Sequence, residues 1–385
     1  MPKTLILHDT FLYRGGGERL VLMMANSLGA DMASGFFSSG SYNLREQGFQ
    51  GRKISLMPRL FLHEFTWLPK RLAFVLKNGL RHFWLKWAFS VRAKQLSNQY
   101  EVVIFSGDCL SALKHFPREK IIYYCHTIPR YLFDQREEYE KKVPRMILPL
   151  YRIMTSSFKK AYLRDLSYIK CLLTNSQNTQ KRIKFFTEKD AEILYPPVDT
   201  SFFCPEPSGN EELKTKNYFL SFARLSSIKR VDRIAEAFLA MPEENLIITY
   251  GKNDPEKNKI MTMITGHPNI SLRESPSDNE LRDLIRAAKA TIYIPVDEDF
   301  GMSPVESMAC GTPVIGVNDG GLKESIIEGV TGILVDPRCT SDDIISAVKN
   351  LPQKHLKSTA CVQRANDFSL IIFTEKLRQI CSLLS

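Results

Sequence analysis

Residues 298–316 read EDFGMSPVESMACGTPVIG, and the fold turns on what flanks them. The apolar run 290–294 (ATIYI) leads in, and the run 313–317 (PVIGV) leads out. Both have the length and composition of buried strands. Between them a helix is expected to begin near Ser303 and Pro304. Proline suits a first helical turn, where its missing N–H would have had no intrahelical partner. The free N–H groups of that turn face whatever lies in front of the helix, and the dipole favours an anion there. Gly301 lets the backbone come close to such a ligand. Glu298 and Glu306 bracket the turn with seven residues between them.

Working outward, the same alternation recurs. Strand-like runs stand at 218–222, 245–249 and 269–272, with helical stretches near 230–240, 278–289 and 341–350. An earlier set comprises 3–8 (KTLILH), 102–106 (VVIFS), 121–125 (IIYYC) and 170–174 (KCLLT), separated by longer helix-like stretches. Alternating strands and helices imply parallel sheets covered on both faces. The segment from Tyr195 to Gly209 is rich in proline and polar residues and reads as a linker. Two α/β domains follow, 1–200 and 201–365, with a terminal helix over about 366–385. A ligand is expected at the carboxyl ends of the strands, in the crevice facing the other domain.

With 385 residues, 44% hydrophobic and 24% charged, the chain has globular composition and room for two cores. No stretch reaches the roughly 18 unbroken apolar residues of a membrane span. The N-terminal apolar run is too short for a signal-peptide core and is interrupted by Asp9, so a cytoplasmic location is expected. Eight scattered cysteines without a C-x-x-C pair read as reduced thiols rather than metal ligands. Charge is uneven: residues 1–200 hold 31 Lys and Arg against 17 Asp and Glu, the remainder 21 against 25. The basic half is expected to meet an anionic partner.

Within E-D-F-G-x-x-x-x-E-x-M-A-x-G-x-P-V-I, the two glutamates resemble the E-x7-E signature of retaining glycosyltransferase family 4, whose members have the GT-B fold. The resemblance implies two Rossmann-like parallel-sheet domains facing a central cleft. The first would bind acceptor, the second nucleotide-sugar, and the terminal helix would return to the first. It places Glu298 beside the anomeric centre and Glu306 on the nucleotide ribose, with amides around Phe300, Gly301, Met302 and Ser303 on sugar and diphosphate. The stretch 223–232 (ARLSSIKRVD) resembles the family's G-R-L-x-x-x-K-G-x-D, with Ala223 and Arg230 in place of glycines. Arg224 and Lys229 would stabilise the departing diphosphate, Arg224 through its planar fork and Lys229 as a point charge. Gly15-Gly16-Gly17 resembles the family's N-terminal glycine loop, with Gly16 and Gly17 near the donor phosphate; it is not the G-x-G-x-x-G fingerprint of dehydrogenases. The resemblance further places His126 close to the sugar hydroxyls, Gly251 beside the nucleotide and Ser275 in the base pocket. The stretches 320–324 (GGLKE) and 329–335 (GVTGILV) read as structural turns.

Retention without a second carboxylate at the anomeric carbon implies, by the same resemblance, front-face attack with the leaving diphosphate taking the acceptor proton. No metal or other cofactor is expected. The segment 126–134 (HTIPRYLFD) resembles H-T-P-x-R-Y-x-x-D of bacterial O-antigen mannosyltransferases, which implies GDP-mannose and a polyprenyl-diphosphate-linked acceptor. From Phe65 to Tyr100 there are seven Lys and Arg, no acidic residue and all three tryptophans. Trp67, Lys70, Arg71, Trp84 and Trp87 therefore suit an anionic membrane surface, so a peripheral position on the inner membrane is expected. The same aromatics also suit a core-packed amphipathic helix. No nucleic-acid motif accompanies them. Three rival functions are a glycoside hydrolase using Glu298 and Glu306, a transferase using a UDP-sugar, and a non-catalytic nucleotide-sugar binder.

Overall fold

The structure, a computed structural model, describes residues 2–12, 14–38, 40–57, 83–206 and 217–384. The chain divides into two compact units, residues 1–194 with 374–385, and residues 195–373. Each is built on one wholly parallel sheet.

The first unit holds β1 (Thr4–His8), β2 (Asp31–Ser34), β3 (Lys53–Ser55), β4 (Val102–Ser106), β5 (Ile121–Cys125), β6 (Cys171–Thr174) and β7 (Glu192–Ile193) in the order β3-β2-β1-β4-β5-β6-β7. Every residue of β1, β4 and β5 is buried, as strands covered on both faces must be. The second unit holds β8 (Tyr218–Ser221), β9 (Asn245–Tyr250), β10 (Ile270–Glu274), β11 (Thr291–Tyr293), β12 (Val314–Val317) and β13 (Gly332–Val335) in the order β10-β9-β8-β11-β12-β13. Both orders reverse direction once, between β1 and β4 and between β8 and β11. In open parallel sheets such a reversal parts the loops at the carboxyl edge and leaves a crevice for ligand.

Four strands lack a sequence signal. β2 (DMAS) and β3 (KIS) are short, β7 has two residues, and β13 begins on Gly332 inside a stretch that reads as turns. At the C-terminus the expected helix is present as Leu370–Ser382, and a further helix that the sequence reading did not name, Ser358–Asn366, precedes it. The segment between them is held by Val198, whose N–H donates to Phe368 and whose carbonyl accepts from Leu370.

Candidate active site

In the second unit, the neighbouring strands β8 and β11 bring several of the expected site residues side by side. The loop after β8 ends in a short turn, Ser227–Lys229, which aims Lys229 across the strand ends. Its ammonium donates to a Glu298 carboxylate oxygen at 2.5 Å and to the Tyr293 hydroxyl at 2.6 Å. Burial opposes the charge on Lys229. The Tyr293 and Glu298 contacts outweigh it and hold the pKa above the usual lysine range, so the group stays a cation. Burial, with the Glu298 carboxylate adding to it, pushes the Tyr293 phenol upward and keeps it neutral. Arg224 lies on the same loop with 61% of its side chain exposed, its Nε 3.9 Å from Asp254.

Asp254, which the sequence reading passed over, ties this edge together. Its carboxylate accepts the N–H of Leu225 at 2.8 Å and of Gly251 at 2.9 Å. The loops after β8 and β9 are therefore fixed to one carboxylate. Ser275 follows β10 at φ 46°, its N–H donating to the Tyr250 carbonyl at 2.8 Å. The residues expected near the nucleotide thus sit at the carboxyl ends of adjacent strands.

The helix Met302–Ala309 begins one residue before the expected region, with Gly301 (φ 84°) as its N-cap. Glycine brings no side chain to the orphan amides, so they stay open to an anion. The Phe300 ring is buried against Tyr195 and Phe368, which leaves its backbone, not its ring, for a ligand. Glu306 is buried within the helix.

The pair Gly320-Gly321 does more than turn the chain. The Gly321 N–H donates to the Glu298 carbonyl at 2.8 Å, and Asp319 accepts the Asp297 N–H at 2.8 Å. A Cβ on Gly320 would meet the Glu298 backbone oxygen at 2.3 Å.

Arg230, one of the two departures from the glycine pattern, adopts φ 52°. That left-handed geometry explains why glycine suits the position. Here the arginine side chain donates to the carbonyls of Ile294 (2.6 Å), Pro337 (2.7 Å) and Pro295 (3.2 Å). Arg230→Ala keeps the backbone strain and loses these bonds, so it should destabilise the second unit by about 3 kcal/mol in urea unfolding. Arg230→Gly should recover about 1 kcal/mol of that loss by relieving the left-handed strain. An alanine variant as stable as the parent would contradict this account.

In the first unit, Gly16 and Gly17 lie inside the first turn of the helix Gly16–Leu28, not in a loop before it; Gly15 is the N-cap. A Cβ on Gly17 would meet open space. His126 follows β5, with its carbonyl accepting from Asn175 at 2.8 Å. Burial, helped by the neighbouring His8, holds the His126 ring down to about 3, so it is neutral at physiological pH. Arg130 and Asp134 of the same segment pair with each other at 2.6 Å, and Arg182 donates to Thr127 at 3.2 Å.

Trp67, Lys70 and Arg71 lie outside the described residues. The helix over 83–91 divides its apolar side chains. Leu85, Ala88 and Phe89 are buried and Trp84 packs on the same core, while Phe83, Trp87 and Val91 are exposed. A second exposed apolar face, missed in the sequence, runs through Met146, Leu150 and Ile153 beside Arg145 and Arg152. Among the described residues, no helix is long and apolar enough to cross a membrane.

Residues 206–368 match the family model described as glycosyl transferases group 1. The human alpha-1,3/1,6-mannosyltransferase ALG2 is 26% identical to the chain, covering 100% of it and 96% of ALG2. Among solved structures, Anabaena Alr3699/HepE in complex with UDP-glucose aligns at TM-score 0.71 and 17% identity, covering 99% of this chain and 100% of that one. Sucrose-phosphate synthase from Thermosynechococcus elongatus aligns at TM-score 0.75 and 16% identity, covering 99% of each. The fold is GT-B, and the chain is a glycosyltransferase.

Proposed function

We propose that this glycosyltransferase, which is of the retaining family-4 type, transfers mannose from GDP-mannose to a lipid-linked saccharide. The observation that carries the proposal is one cluster. Lys229, Glu298 and Tyr293 meet at the strand ends of the second unit, beside the open amides that start at Gly301. The diphosphate lodges against those amides and takes charge from Lys229 and the exposed Arg224. As the bond from anomeric carbon to phosphate oxygen breaks, the acceptor oxygen bonds to that carbon from the same face and gives its proton to the leaving diphosphate, whose charge the fixed cations hold. Glu298 stands at the anomeric carbon, Glu306 reads the ribose, and Gly251 and Ser275 frame the base. No metal is needed, because the two cations do its electrostatic work.

Mannose is favoured by the name of the ALG2 relatives and by the segment 126–134. The basic first unit serves a polyprenyl-diphosphate-linked acceptor at an anionic membrane, where Trp87 and Phe83 offer apolar contact. The product belongs to a lipopolysaccharide O-antigen or another surface glycan. A UDP-sugar donor is the second reading, because the Alr3699/HepE structure holds UDP-glucose.

A thermal-shift panel of GDP-mannose, GDP-glucose, UDP-glucose, dTDP-glucose and ADP-glucose separates the two. A ligand at 100 times its Kd adds about 2.7 kcal/mol of stability. GDP-mannose should raise Tm most and release GDP on turnover. A larger rise with UDP-glucose would transfer the assignment to the second reading, and no rise with any donor would overturn both.

A further inference from the structure

His8, Ser106 and His126 stand in a row at the carboxyl ends of β1, β4 and β5, where the first sheet reverses direction. Ser106 Oγ lies 2.6 Å from His126 Nε2 and 3.0 Å from His8 Nδ1. The other nitrogen of His8, Nε2, lies 3.3 Å from the Asp9 carboxylate. His8 and Ser106 are buried and are Cα partners in the register of β1 and β4, so the sheet itself sets their contact. Gly107, at φ 76°, gives Asp9 its room: a Cβ there would come within 2.9 Å of the carboxylate oxygen Oδ1. The Thr10 N–H donates to that oxygen at 2.7 Å.

A serine hydroxyl has one proton to donate. Between two imidazole nitrogens, it donates to one and accepts from the other. A lone pair on His8 Nε2 would face the Asp9 carboxylate and be repelled, so Nε2 carries the proton. In the neutral ring Nδ1 is then the acceptor. Ser106 donates to it, which leaves the serine oxygen to accept from His126. His126 therefore holds its proton on Nε2, and its Nδ1 presents a bare lone pair.

We propose that Asp9, His8 and Ser106 are positioning residues that lock His126 as the Nε2-protonated tautomer, so that it meets a sugar hydroxyl as an acceptor. The sugar rests on the glycosyltransferase reading above; the tautomer rests on the two Ser106 hydrogen bonds and the Asp9 contact. A non-polar or small residue at position 106 would leave the ring free to present either a donor or an acceptor, and hydroxyl recognition would lose its direction.

The test is long-range proton–nitrogen NMR of the full chain labelled with ¹⁵N-histidine at pH 8, where an ordinary imidazole is neutral. The His126 signals are assigned by their loss in His126→Gln. The wild type should show Nε2 protonated and Nδ1 bare. Ser106→Ala should give mixed tautomers and lower kcat/KM about tenfold, the size of one lost hydrogen bond. Ser106→Thr should restore both, and His8→Asn, which keeps an acceptor facing Ser106, should retain the tautomer. A wild-type His126 protonated on Nδ1, or a tautomer unmoved in Ser106→Ala, would overturn the proposal even if donor binds. The expected tautomer in a protein that shows no thermal shift with any donor would overturn the donor assignment instead and leave the lock standing.

Discussion

Lys229→Ala is expected to lower kcat with GDP-mannose by about 10²–10³-fold, the loss that follows removal of one fixed donor to a developing anion. Lys229 is the cation placed deepest in the second unit's cluster, and its ammonium is already fixed by Glu298 at 2.5 Å and Tyr293 at 2.6 Å. No reorganisation is needed when charge appears on the leaving diphosphate. Alanine removes that charge and also takes the lysine contact from Glu298, so on the proposed mechanism both the leaving diphosphate and Glu298 lose part of their setting. Lys229→Arg should recover only part of the loss, because a planar fork cannot replace a point charge held between a carboxylate and a phenol. Steady-state release of GDP, with circular dichroism to confirm the fold, measures the effect. A kcat within threefold of the parent would remove Lys229 from the mechanism. Arg224, with its side chain largely in solvent, should cost less in kcat and more in KM.

How much of this was legible in the chain depends on the distance over which each contact acts. The central strands were readable because burial on both faces forces unbroken apolar runs, as in VVIFS and IIYYC. The edge strands β3 and β7 were not, since short, part-exposed strands need no such run. The residues around Glu298 were readable because one local unit of strand, turn and helix holds them. The partners that fix them came from elsewhere. Asp254 stands 29 residues from Leu225, and Ser106 stands 98 from His8 and 20 from His126. Such pairs meet only through strand order, which no local pattern records. Arg230 shows the converse. It stands where the resembled pattern has glycine, yet its backbone keeps the left-handed geometry that glycine favours and its side chain makes three carbonyl bonds that the pattern does not announce.

Gly320 carries the second large effect. Read along the chain, Gly320-Gly321 is a turn; in space it is the floor under Glu298. A Cβ at Gly320 would stand 2.3 Å from the Glu298 oxygen and 2.7 Å from its nitrogen, and one at Gly321 would stand 2.4 Å from the Asp299 oxygen. Backbone atoms at those separations must move, and Glu298 moves with them. Displacing a reacting group by about 1 Å costs about 10²-fold in rate, so Gly320→Ala should lower kcat/KM by about that factor. Strain alone cannot account for such a loss. Gly329→Ala provides the comparison, since Gly329 also has positive φ, 71°, but a Cβ there meets nothing within 4 Å. That variant should lose about 1–2 kcal/mol of stability from its left-handed backbone and keep its turnover. If both variants lose stability alike and neither loses activity, then Glu298 does not depend on the glycine pair for its position. If only Gly320→Ala loses activity, the close approach of two backbones, rather than the flexibility of glycine, is what the site requires.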